Sequence, residues 1–232
     1  GGWLQILMEL TAALRKDVAR LAKTKYRREL GLFVAEGTKC VLDTLPHFRC
    51  RHLLATDAWL TEHSAAVPGG VDAVCVKAAD IERMSSLTSP QPVMAVYEIP
   101  EDSPLPAEAE NHLLVALDRV QDPGNLGTII RLCDWFGVRH ILAAYDTADV
   151  FSPKVVQATM GAISRVQVHY CDLAAELSRL GATMPVYGTF LDGDNLYRCD
   201  LQRSRGVIVM GNEGRGICPE VEATVSHRLL IP

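Results

Sequence analysis

A proline-rich, acidic segment near the middle of the chain limits how the chain can fold. Residues 99–110 contain three prolines and four acidic side chains. Proline has no backbone N–H and restricts its neighbours, so a helix or central strand through this segment would lose hydrogen bonds. We therefore expect a semi-rigid linker at 100–110, between one domain at 11–99 and a second at 111–232.

The size and composition of the chain suit a folded α/β protein. Its 232 residues are 48% hydrophobic and 22% charged, which supplies enough apolar side chains for a core. This composition excludes a disordered chain, a collagen-like chain and a small disulfide-bonded protein. No apolar run reaches the roughly eighteen residues that a membrane helix needs, so we expect no membrane span.

The cysteines indicate a reduced protein rather than a metal site or a disulfide framework. Their number is odd and no CxxC pair occurs, whereas zinc-ribbon sites need closely spaced thiolates. We therefore expect a cytoplasmic protein that binds no metal. The seven cysteines are Cys40, Cys50, Cys75, Cys133, Cys171, Cys199 and Cys218.

Basic side chains are concentrated near the amino terminus, although the net charge of the chain is -5. Apolar residues recur at helical spacing in the same stretch, which predicts one amphipathic helix with a cationic face. That face has two interpretations, a solvated helix surface or a surface that contacts nucleic-acid phosphates. The basic residues are Arg15, Lys16, Arg20, Lys23, Lys25, Arg27 and Arg28.

Alternating apolar runs and helical stretches predict two α/β arrangements. In the first half the predicted strands are short, at 32–35, 52–56, 73–76 and 93–98. In the second half, near-continuous apolar runs are typical of parallel strands that are buried on both faces. We expect these strands at 113–118, 140–144, 166–169, 186–190 and 206–210. The pattern predicts a parallel sheet with helices on both faces, preceded by a small α/β domain.

The segment Asp118–Arg131 runs from the end of a predicted strand, through a Pro-Gly turn, into a helix at about 126–136. Ligands of open parallel sheets bind at that edge. Asn125 lies near the helix start, where its amide could cap free backbone donors. Arg131 follows about a turn and a half later. Both residues have a plain interpretation, as a cap and a surface charge, and a functional one as parts of a site.

A glycine-rich loop follows the strand at 206–210. Gly211, Gly214 and Gly216 are spaced as GxxGxG, which is not the GxGxxG of dinucleotide sites, and no GxxxxGK[ST] occurs. Glu213 in this loop would repel a phosphate but could hold a cation such as Arg131. The strand at 186–190 also runs into a glycine-bearing loop. Polar residues at three strand ends therefore indicate one composite pocket.

Together these segments resemble the SpoU (TrmH-like) RNA 2′-O-ribose methyltransferases of the SPOUT superfamily. The resemblance extends over both halves of the chain. In the first half, Lys23–Gly37 and Ser89–Ala95 resemble the family's substrate-binding domain, a ribosomal-protein-like fold that grips RNA. In the second half it is carried by Asp122–Arg131, Ser152–Ala162, Gly211–Gly216 and the final Leu230–Pro232.

The resemblance implies S-adenosylmethionine as methyl donor, bound in a deep trefoil knot, and a homodimer. It implies Arg131 as the principal catalytic residue, supported by Asn125 and Glu213, and it favours the RNA-contacting interpretation of the seven basic residues. The family's third motif continues past the point where this sequence stops, so we expect part of the pocket and knot to lie beyond Pro232. The implied cofactor-binding residues are Thr189, Leu191, Met210, Gly211, Gly214 and Ile231.

The reaction poses a question about the proton of the ribose 2′-hydroxyl. An arginine is an awkward general base because its guanidinium is effectively always protonated. We hypothesise that Arg131 binds the phosphate beside the target ribose and lowers the pKa of the hydroxyl electrostatically. Direct proton acceptance by Arg131 is the competing version.

The substrate is expected to be structured RNA, with ribosomal RNA favoured over transfer RNA. Only RNA carries the 2′-hydroxyl, and loops expose a reachable ribose. Two other functions compete with this one. The first is a non-catalytic RNA-binding factor for ribosome assembly on the same fold, which would have no need of Asn125, Arg131 and Glu213 together. The second is a nucleotide-binding enzyme, which the glycine spacing disfavours.

Overall fold

The computed structural model describes residues 9–199 and 205–232. The amino-terminal part contains five helices and four strands within these limits. In chain order they are α1 (Ala12–Arg20), α2 (Thr24–Leu30), β1 (Leu32–Glu36), α3 (Thr38–Thr44), β2 (Cys50–Ala55), α4 (Asp57–His63), β3 (Ala73–Cys75), α5 (Ala78–Met84) and β4 (Val93–Glu98).

The carboxy-terminal part continues with longer strand–helix units. In chain order the described elements are β5 (Leu113–Asp118), α6 (Pro123–Trp135), β6 (His140–Ala144), α7 (Pro153–Thr159), β7 (Gln167–Cys171), α8 (Leu173–Gly181), β8 (Val186–Phe190), β9 (Asp194–Asn195), β10 (Gly206–Gly211), α9 (Pro219–Glu222) and β11 (His227–Leu230). A short 3-10 turn, Ala107–Asn111, precedes β5.

The chain divides into two compact units. In the described part of the chain, the first unit comprises residues 9–101 together with Asp149–Ser164. Its four-stranded sheet has the order β1-β4-β2-β3, and β4 pairs antiparallel with both of its neighbours while β2 and β3 run parallel. One side of the sheet packs on α1 and α5 through a cluster that includes Val18, Leu21 and Ile81.

The basic segment forms two helices, not the single helix that we expected. Helix α1 ends at Arg20, with buried Leu21 as its C-cap, and α2 starts after Lys23. The carbonyl oxygen of Leu21 accepts a hydrogen bond of 2.9 Å from Arg27 Nη1, outside the helical pattern. The Arg27 side chain therefore donates to a carbonyl oxygen that a backbone N–H would satisfy in a continuous helix. The 3.6-residue periodicity alone could not predict this break.

Residues Asp149–Ser164 lie in the first unit, whereas we expected them in a domain at 111–232. Two contacts explain the difference. The ring of Phe151 lies 4.8 Å from the ring of Phe33 on β1. The carboxylate of Asp149 accepts hydrogen bonds from the Arg27 guanidinium at 2.9 and 3.2 Å. An aromatic pair and an ion pair with a buried arginine and a partly exposed aspartate thus hold the segment to β1 and α2.

Among the described residues, the second unit comprises Asp102–Ala148, 165–199 and 205–232. Its seven strands have the order β7-β6-β5-β10-β8-β11-β9, and every pairing is parallel. The central strands are buried along their length, as near-continuous apolar runs predict. The parallel α/β sheet is therefore confirmed. The trefoil knot stays a prediction.

The expected linker at 100–110 is partly absorbed into the second unit. Ala109 is buried in the core of that unit, and Leu105 packs against the same cluster. The oxygens of Ser103 accept hydrogen bonds from His169 Nδ1 and Gln167 Nε2, at 3.0 and 2.8 Å. The prolines do prevent a regular helix or strand at 100–106, but the side chains between them still find apolar partners.

None of the helices in the described ranges combines the length and hydropathy that a bilayer crossing requires.

Candidate active site

Four adjacent strands of the second unit end at one edge of its sheet. Strands β5, β10, β8 and β11 are neighbours and run parallel, so their carboxyl ends lie together. The register pairs Asp118 with Gly211, and Phe190 with Leu230. Open parallel sheets bind ligands at this edge, and the loops after these strands carry the residues that we singled out from the sequence.

Asp118 joins the end of β5 to the loop that follows β10. This aspartate is buried, and its Oδ2 atom accepts a 2.6 Å hydrogen bond from the backbone N–H of Cys218. Its Oδ1 atom accepts a 3.2 Å bond from Nε of Arg119. Arg119 adopts a φ of 61°, a left-handed conformation that costs energy for a residue with a side chain.

Asn212 supports both of these loops. Its Nδ2 atom donates a 2.7 Å hydrogen bond to the carbonyl oxygen of Arg119, at the strained turn. Its Oδ1 atom accepts from the backbone N–H groups of Gly214 and Arg215, each at 3.0 Å. The side chain of Asn212 therefore fixes the glycine-rich loop and ties it to the end of β5.

Glu213 binds backbone donors at the start of α6. Its two carboxylate oxygens accept hydrogen bonds from the backbone N–H groups of Asp122 (3.1 Å) and Gln121 (3.3 Å). Asn125 Nδ2 donates a longer one of 3.5 Å. Burial by itself would raise the pKa of Glu213, but the hydrogen bonds outweigh it and lower that pKa below its ordinary value. Glu213 is therefore an anionic acceptor at neutral pH and a poor general base.

The position of Arg131 differs from one sequence-based expectation. We considered that Glu213 could hold Arg131, but the acceptor positions of Glu213 are directed at Gln121, Asp122 and Asn125. Arg131 lies on the exposed side of α6, and within residues 9–199 and 205–232 it forms no ion pair. Its guanidinium is therefore available to an external anion.

The plain interpretation of Asn125 as a helix cap is wrong. The N-cap of α6 is Asp122, whose side chain accepts a 2.8 Å hydrogen bond from the backbone N–H of Asn125. Helix α6 begins at Pro123, three residues before the start that we expected, because Asp122 and Pro123 together favour a helix start. Asn125 is therefore a helical residue, and its amide is directed at Glu213.

The predicted cofactor residues lie at the ends of β8, β10 and β11. Thr189 Oγ1 donates a 3.2 Å hydrogen bond to Val209 O, and this bond joins the ends of β8 and β10. Met210 is partly buried and Gly214 is exposed. Leu191 and Ile231 expose 99% and 55% of their surface, so apolar side chains face solvent at this edge.

Gly211 is required by packing at the same edge. A Cβ atom at this position would lie 2.3 Å from the carbonyl carbon of Gly216 and 2.4 Å from the backbone nitrogen of Ile217. The loop folds back this closely because Asn212 and Gly216 form a two-way backbone bridge. The exposed apolar side chains at this edge fit a nucleoside-bearing ligand such as S-adenosylmethionine.

A cavity of about 450 Å³ opens on the second unit beside the edge strand β9, next to the loop that follows β8. None of the six predicted cofactor residues lines it, but Gly193 and Asp194, which follow Leu191 closely in the chain, do. Its lining includes Tyr187, Asn195, Arg198 and His227. In the part of the chain that the structure describes, no group of three or more His, Cys, Asp or Glu side chains is arranged to hold a metal ion.

Asp118, Asp122 and Asn212 are site residues that we did not select from the sequence. Asn212 stands between two residues that we did select, Gly211 and Glu213, and an amide in a glycine loop is a recognisable signal. Asp118 gave only the weak signal of an acid at the end of an apolar run. Its contact with Cys218 spans 100 positions and depends on the sheet order.

The basic residues of the first unit do not act as one set. Lys16, Lys23, Lys25 and Arg28 are exposed. Arg15 lies 3.6 Å from Asp80, and Arg20 lies 3.8 Å from Asp17, so these two are partly neutralised.

Arg27 was wrongly included among the RNA-contacting residues. Its side chain is 2% exposed, and it donates hydrogen bonds to Asp149, Leu21 O and Thr24 Oγ1. An arginine with all of its donors directed inward is not available to a phosphate, so its role is structural.

Comparison with known families agrees with this arrangement. Residues 112–232 match the model of the SpoU rRNA methylase family. Residues 15–95 match the model of an MRM3-like substrate binding domain. The two matched segments correspond closely to the two halves on either side of the proline-rich segment.

Individual proteins show the same relationship over nearly the whole chain. The 23S rRNA (guanosine(2553)-2′-O)-methyltransferase of Bacillus subtilis is 28% identical over 94% of this chain and 86% of its own length. The structure of a TrmH-family protein from Porphyromonas gingivalis is 44% identical, with a TM-score of 0.87, over 96% of this chain and 89% of that one. An rRNA methyltransferase from Sinorhizobium meliloti, crystallised with AdoMet, is 31% identical, with a TM-score of 0.85, over 97% and 89%. The chain therefore belongs to the SpoU rRNA methylase family.

Proposed function

We propose that this protein transfers a methyl group from S-adenosylmethionine to a ribose 2′-hydroxyl of ribosomal RNA. The observation that carries the proposal is the contact of Glu213 with the start of α6, because it brings Asn125 and the helix of Arg131 to the edge where the cofactor residues lie. The Bacillus subtilis relative, which acts on 23S rRNA at a ribose 2′ oxygen, supports ribosomal RNA as the substrate class.

The cofactor would be held at the ends of β8, β10 and β11. The backbone around Thr189, Gly211 and Ile231 offers polar groups, and the exposed Leu191 offers an apolar surface for a purine ring. When bound, S-adenosylmethionine supplies an electrophilic methyl group on a sulfonium.

The side chains of the chain itself would position the RNA and stabilise charge. Arg131 is exposed, unpaired in the described part of the chain and permanently cationic, so it suits the phosphate beside the target ribose. A cation there lowers the pKa of the adjacent hydroxyl and favours its loss of a proton. Glu213 and Asn125 keep α6 in place, and positioning of this kind can supply several kcal/mol of rate acceleration.

The exposed basic residues of the first unit would contact the RNA backbone. Lys16, Lys23, Lys25 and Arg28 present positive charge to solvent on α1, on α2 and in the turn between them. Phosphate contacts of this kind carry affinity without reading sequence. The match of residues 15–95 to a substrate binding domain supports this assignment.

The functional molecule is proposed to be a homodimer. At the end of α6, Trp135 and Phe136 expose 81% and 75% of their surface, and Leu132 exposes 51%. This apolar patch lies on the same helix as Arg131. Exposed patches of this type mark interaction sites, and a second copy of the chain is the occupant that the family resemblance implies.

Light scattering tests the dimer. Replacement of Trp135 and Phe136 by serine is expected to give monomers. Replacement of Tyr145, which is 73% exposed at the end of β6, is the matched aromatic control and is expected to leave the dimer intact. Monomeric wild-type protein at micromolar concentration would contradict the dimer.

The proposed setting is reducing and cytoplasmic. The free thiols of all seven cysteines support it, since disulfides form and persist in oxidising compartments.

Ligand choice tests the proposed activity against its rivals. In isothermal titration calorimetry, a methyltransferase should bind S-adenosylhomocysteine, a nucleotide enzyme should bind ATP or NAD, and an assembly factor should bind none of them. We expect the purified protein to bind S-adenosylhomocysteine and to bind neither ATP nor NAD. Absence of binding at millimolar ligand, with RNA binding retained, would favour the non-catalytic RNA-binding factor.

A further inference from the structure

Arg228 is surrounded by three elements at the edge of the second unit's sheet. It lies on β11, outside the motifs that carry the family resemblance. Its guanidinium carbon lies 3.7 Å from the ring centroid of Phe190, at the end of β8. Nη2 donates a 2.7 Å hydrogen bond to Asp192, and Nη1 donates to Glu222 on α9. One side chain therefore connects β8, the loop after β8 and α9.

The loop after β8 also fits closely around the backbone of Arg228. Gly193 has a φ of 142°, and a Cβ atom there would lie 2.7 Å from the carbonyl oxygen of Arg228. Immediately afterwards β9 pairs with β11, with Asp194 opposite Leu229. The loop Leu191–Gly193 is thus held by the side chain of Arg228 on one side and by its backbone on the other.

We infer that Arg228 is a positioning residue for the cofactor, which acts by fixing the loop Leu191–Gly193. This inference rests on the proposed function, because that function places Thr189 and Leu191 in the cofactor pocket. Leu191 is 99% exposed, so its own side chain makes little contact that could hold it in place. The order of the loop must come from its neighbours, and Asp192 and Phe190 both contact Arg228.

The geometry favours arginine over lysine at this position. A guanidinium is planar, so it can stack on Phe190 while it donates to two carboxylates, whereas an ammonium offers a single charged point. Asp192 and Glu222 are exposed or partly exposed, and ion pairs of that kind add little to global stability. Loss of Arg228 should therefore weaken cofactor binding more than it weakens the fold.

Calorimetry with S-adenosylhomocysteine tests the inference. Arg228→Gln is expected to raise the Kd for S-adenosylhomocysteine about tenfold, and Arg228→Lys by a smaller factor. Arg179→Gln is the matched control, since Arg179 is also a half-exposed arginine with two carboxylate partners, Glu110 and Glu176, but lies on α8. This control should leave the Kd unchanged.

Steady-state kinetics separate positioning from a general structural role. In Arg228→Gln the KM for S-adenosylmethionine should rise, while kcat at saturating cofactor and the KM for RNA stay within about twofold of wild type. Asp192→Asn is a second variant that removes the negative charge of one partner of Arg228 and leaves Phe190 in place. It should give a smaller rise in the KM for S-adenosylmethionine. If Arg228→Gln does not fold, this variant provides the test.

The possible outcomes distinguish this inference from the proposed function. Wild-type protein that binds no S-adenosylhomocysteine would contradict the proposed function. Wild-type binding that protects the backbone amides of Leu191–Asp194 from hydrogen exchange, together with unchanged affinity in Arg228→Gln and Asp192→Asn, would overturn the role of Arg228 alone. Protection of these amides in wild type, with protection and affinity reduced in both variants, is the expected result.

Discussion

The carboxylate of Glu213 accepts a 3.1 Å hydrogen bond from the backbone N–H of Asp122, which lies 91 positions earlier in the chain. Asp122 is the N-cap of α6, so the glycine-rich loop is attached directly to the first turn of the helix that carries Asn125 and Arg131. The two family motifs are thereby joined by an anionic acceptor at the start of a helix, where negative charge is favoured.

Replacement of Glu213 by alanine should reduce kcat by about 10²-fold, because misplacement of reacting groups by about 1 Å has effects of that size. Affinity for S-adenosylhomocysteine should fall much less. Stopped-time methylation assays with saturating cofactor measure the effect. Glu108→Ala, an exposed acid in the 3-10 turn before β5, is the control and should keep wild-type turnover. Equal kcat in Glu213→Ala and wild type would exclude a positioning role for Glu213.

Replacement of Arg131 by lysine should abolish most of the turnover while cofactor binding is kept. A lysine retains the positive charge but loses the planar, two-pronged donor set that suits a phosphate. Arg139→Lys is the matched control, since Arg139 is exposed and precedes β6, at the opposite end of that strand from the site edge. Near wild-type turnover in Arg131→Lys would mean that the guanidinium has no special role.

Strand and helix positions in the second unit could be predicted because its central strands are buried on both faces and their sequences are therefore apolar runs. Strands β5, β6 and β8 have the predicted bounds. Strands β9 and β11, by contrast, are short and partly exposed, and nothing local identifies them. Their place in the sheet follows from parallel pairings between distant residues.

The sequence predicted which residues belong to the candidate site better than it predicted the contacts between them. Motif resemblance selected Asn125, Arg131 and Glu213, but local reasoning paired Glu213 with Arg131 because opposite charges attract. In the structure the backbone N–H groups of Gln121 and Asp122 donate to the Glu213 carboxylate instead. A carboxylate at a helix start is recognisable only once the loop is known to reach that helix. The same limit explains why Arg27 was counted as a surface charge, since its partner Asp149 lies 122 positions away.

Substitution of Arg27 should affect the stability of the fold, whereas substitution of its neighbour Arg28 should affect RNA binding. Arg27→Ala breaks an ion pair between a buried arginine and a partly exposed aspartate and should lower the free energy of unfolding by about 2 kcal/mol, as measured by urea denaturation. Arg28→Ala, at an exposed position, should change it by no more than about 0.5 kcal/mol. Arg28→Ala should instead lower the slope of log affinity for RNA against log salt by about one. An unchanged slope would remove Arg28 from the RNA-contacting surface.

Glu36 should make the stability of the first unit depend on pH. Its carboxylate is buried at the end of β1 and accepts hydrogen bonds from Ser85 Oγ (2.5 Å) and Ser86 N (3.4 Å). Burial raises the pKa of Glu36, and the two hydrogen bonds only partly offset this. Between the unfolded pKa, about 4.3, and the raised folded pKa, the folded state binds more protons, so stability falls as pH rises.

Glu36→Gln removes that titration while it keeps groups that can pair with Ser85 and Ser86. The Tm of the variant relative to wild type should therefore increase, by about 3 °C, from pH 4.5 to pH 8. Differential scanning calorimetry at both pH values measures the difference. Glu29→Gln, at an exposed position on α2, should show no such change. A Tm difference for Glu36→Gln that is the same at both pH values would contradict the linkage.

Methyl transfer to RNA tests the central claim most directly. The full-length protein is incubated with S-adenosylmethionine carrying a labelled methyl group and with ribosomal RNA, and the RNA is digested to nucleosides. We predict label in a 2′-O-methylnucleoside, lost when Arg131 is replaced by alanine and when the target nucleotide carries a 2′-deoxyribose. Label on a base, or none above background from a protein that still binds RNA, would contradict the proposed activity.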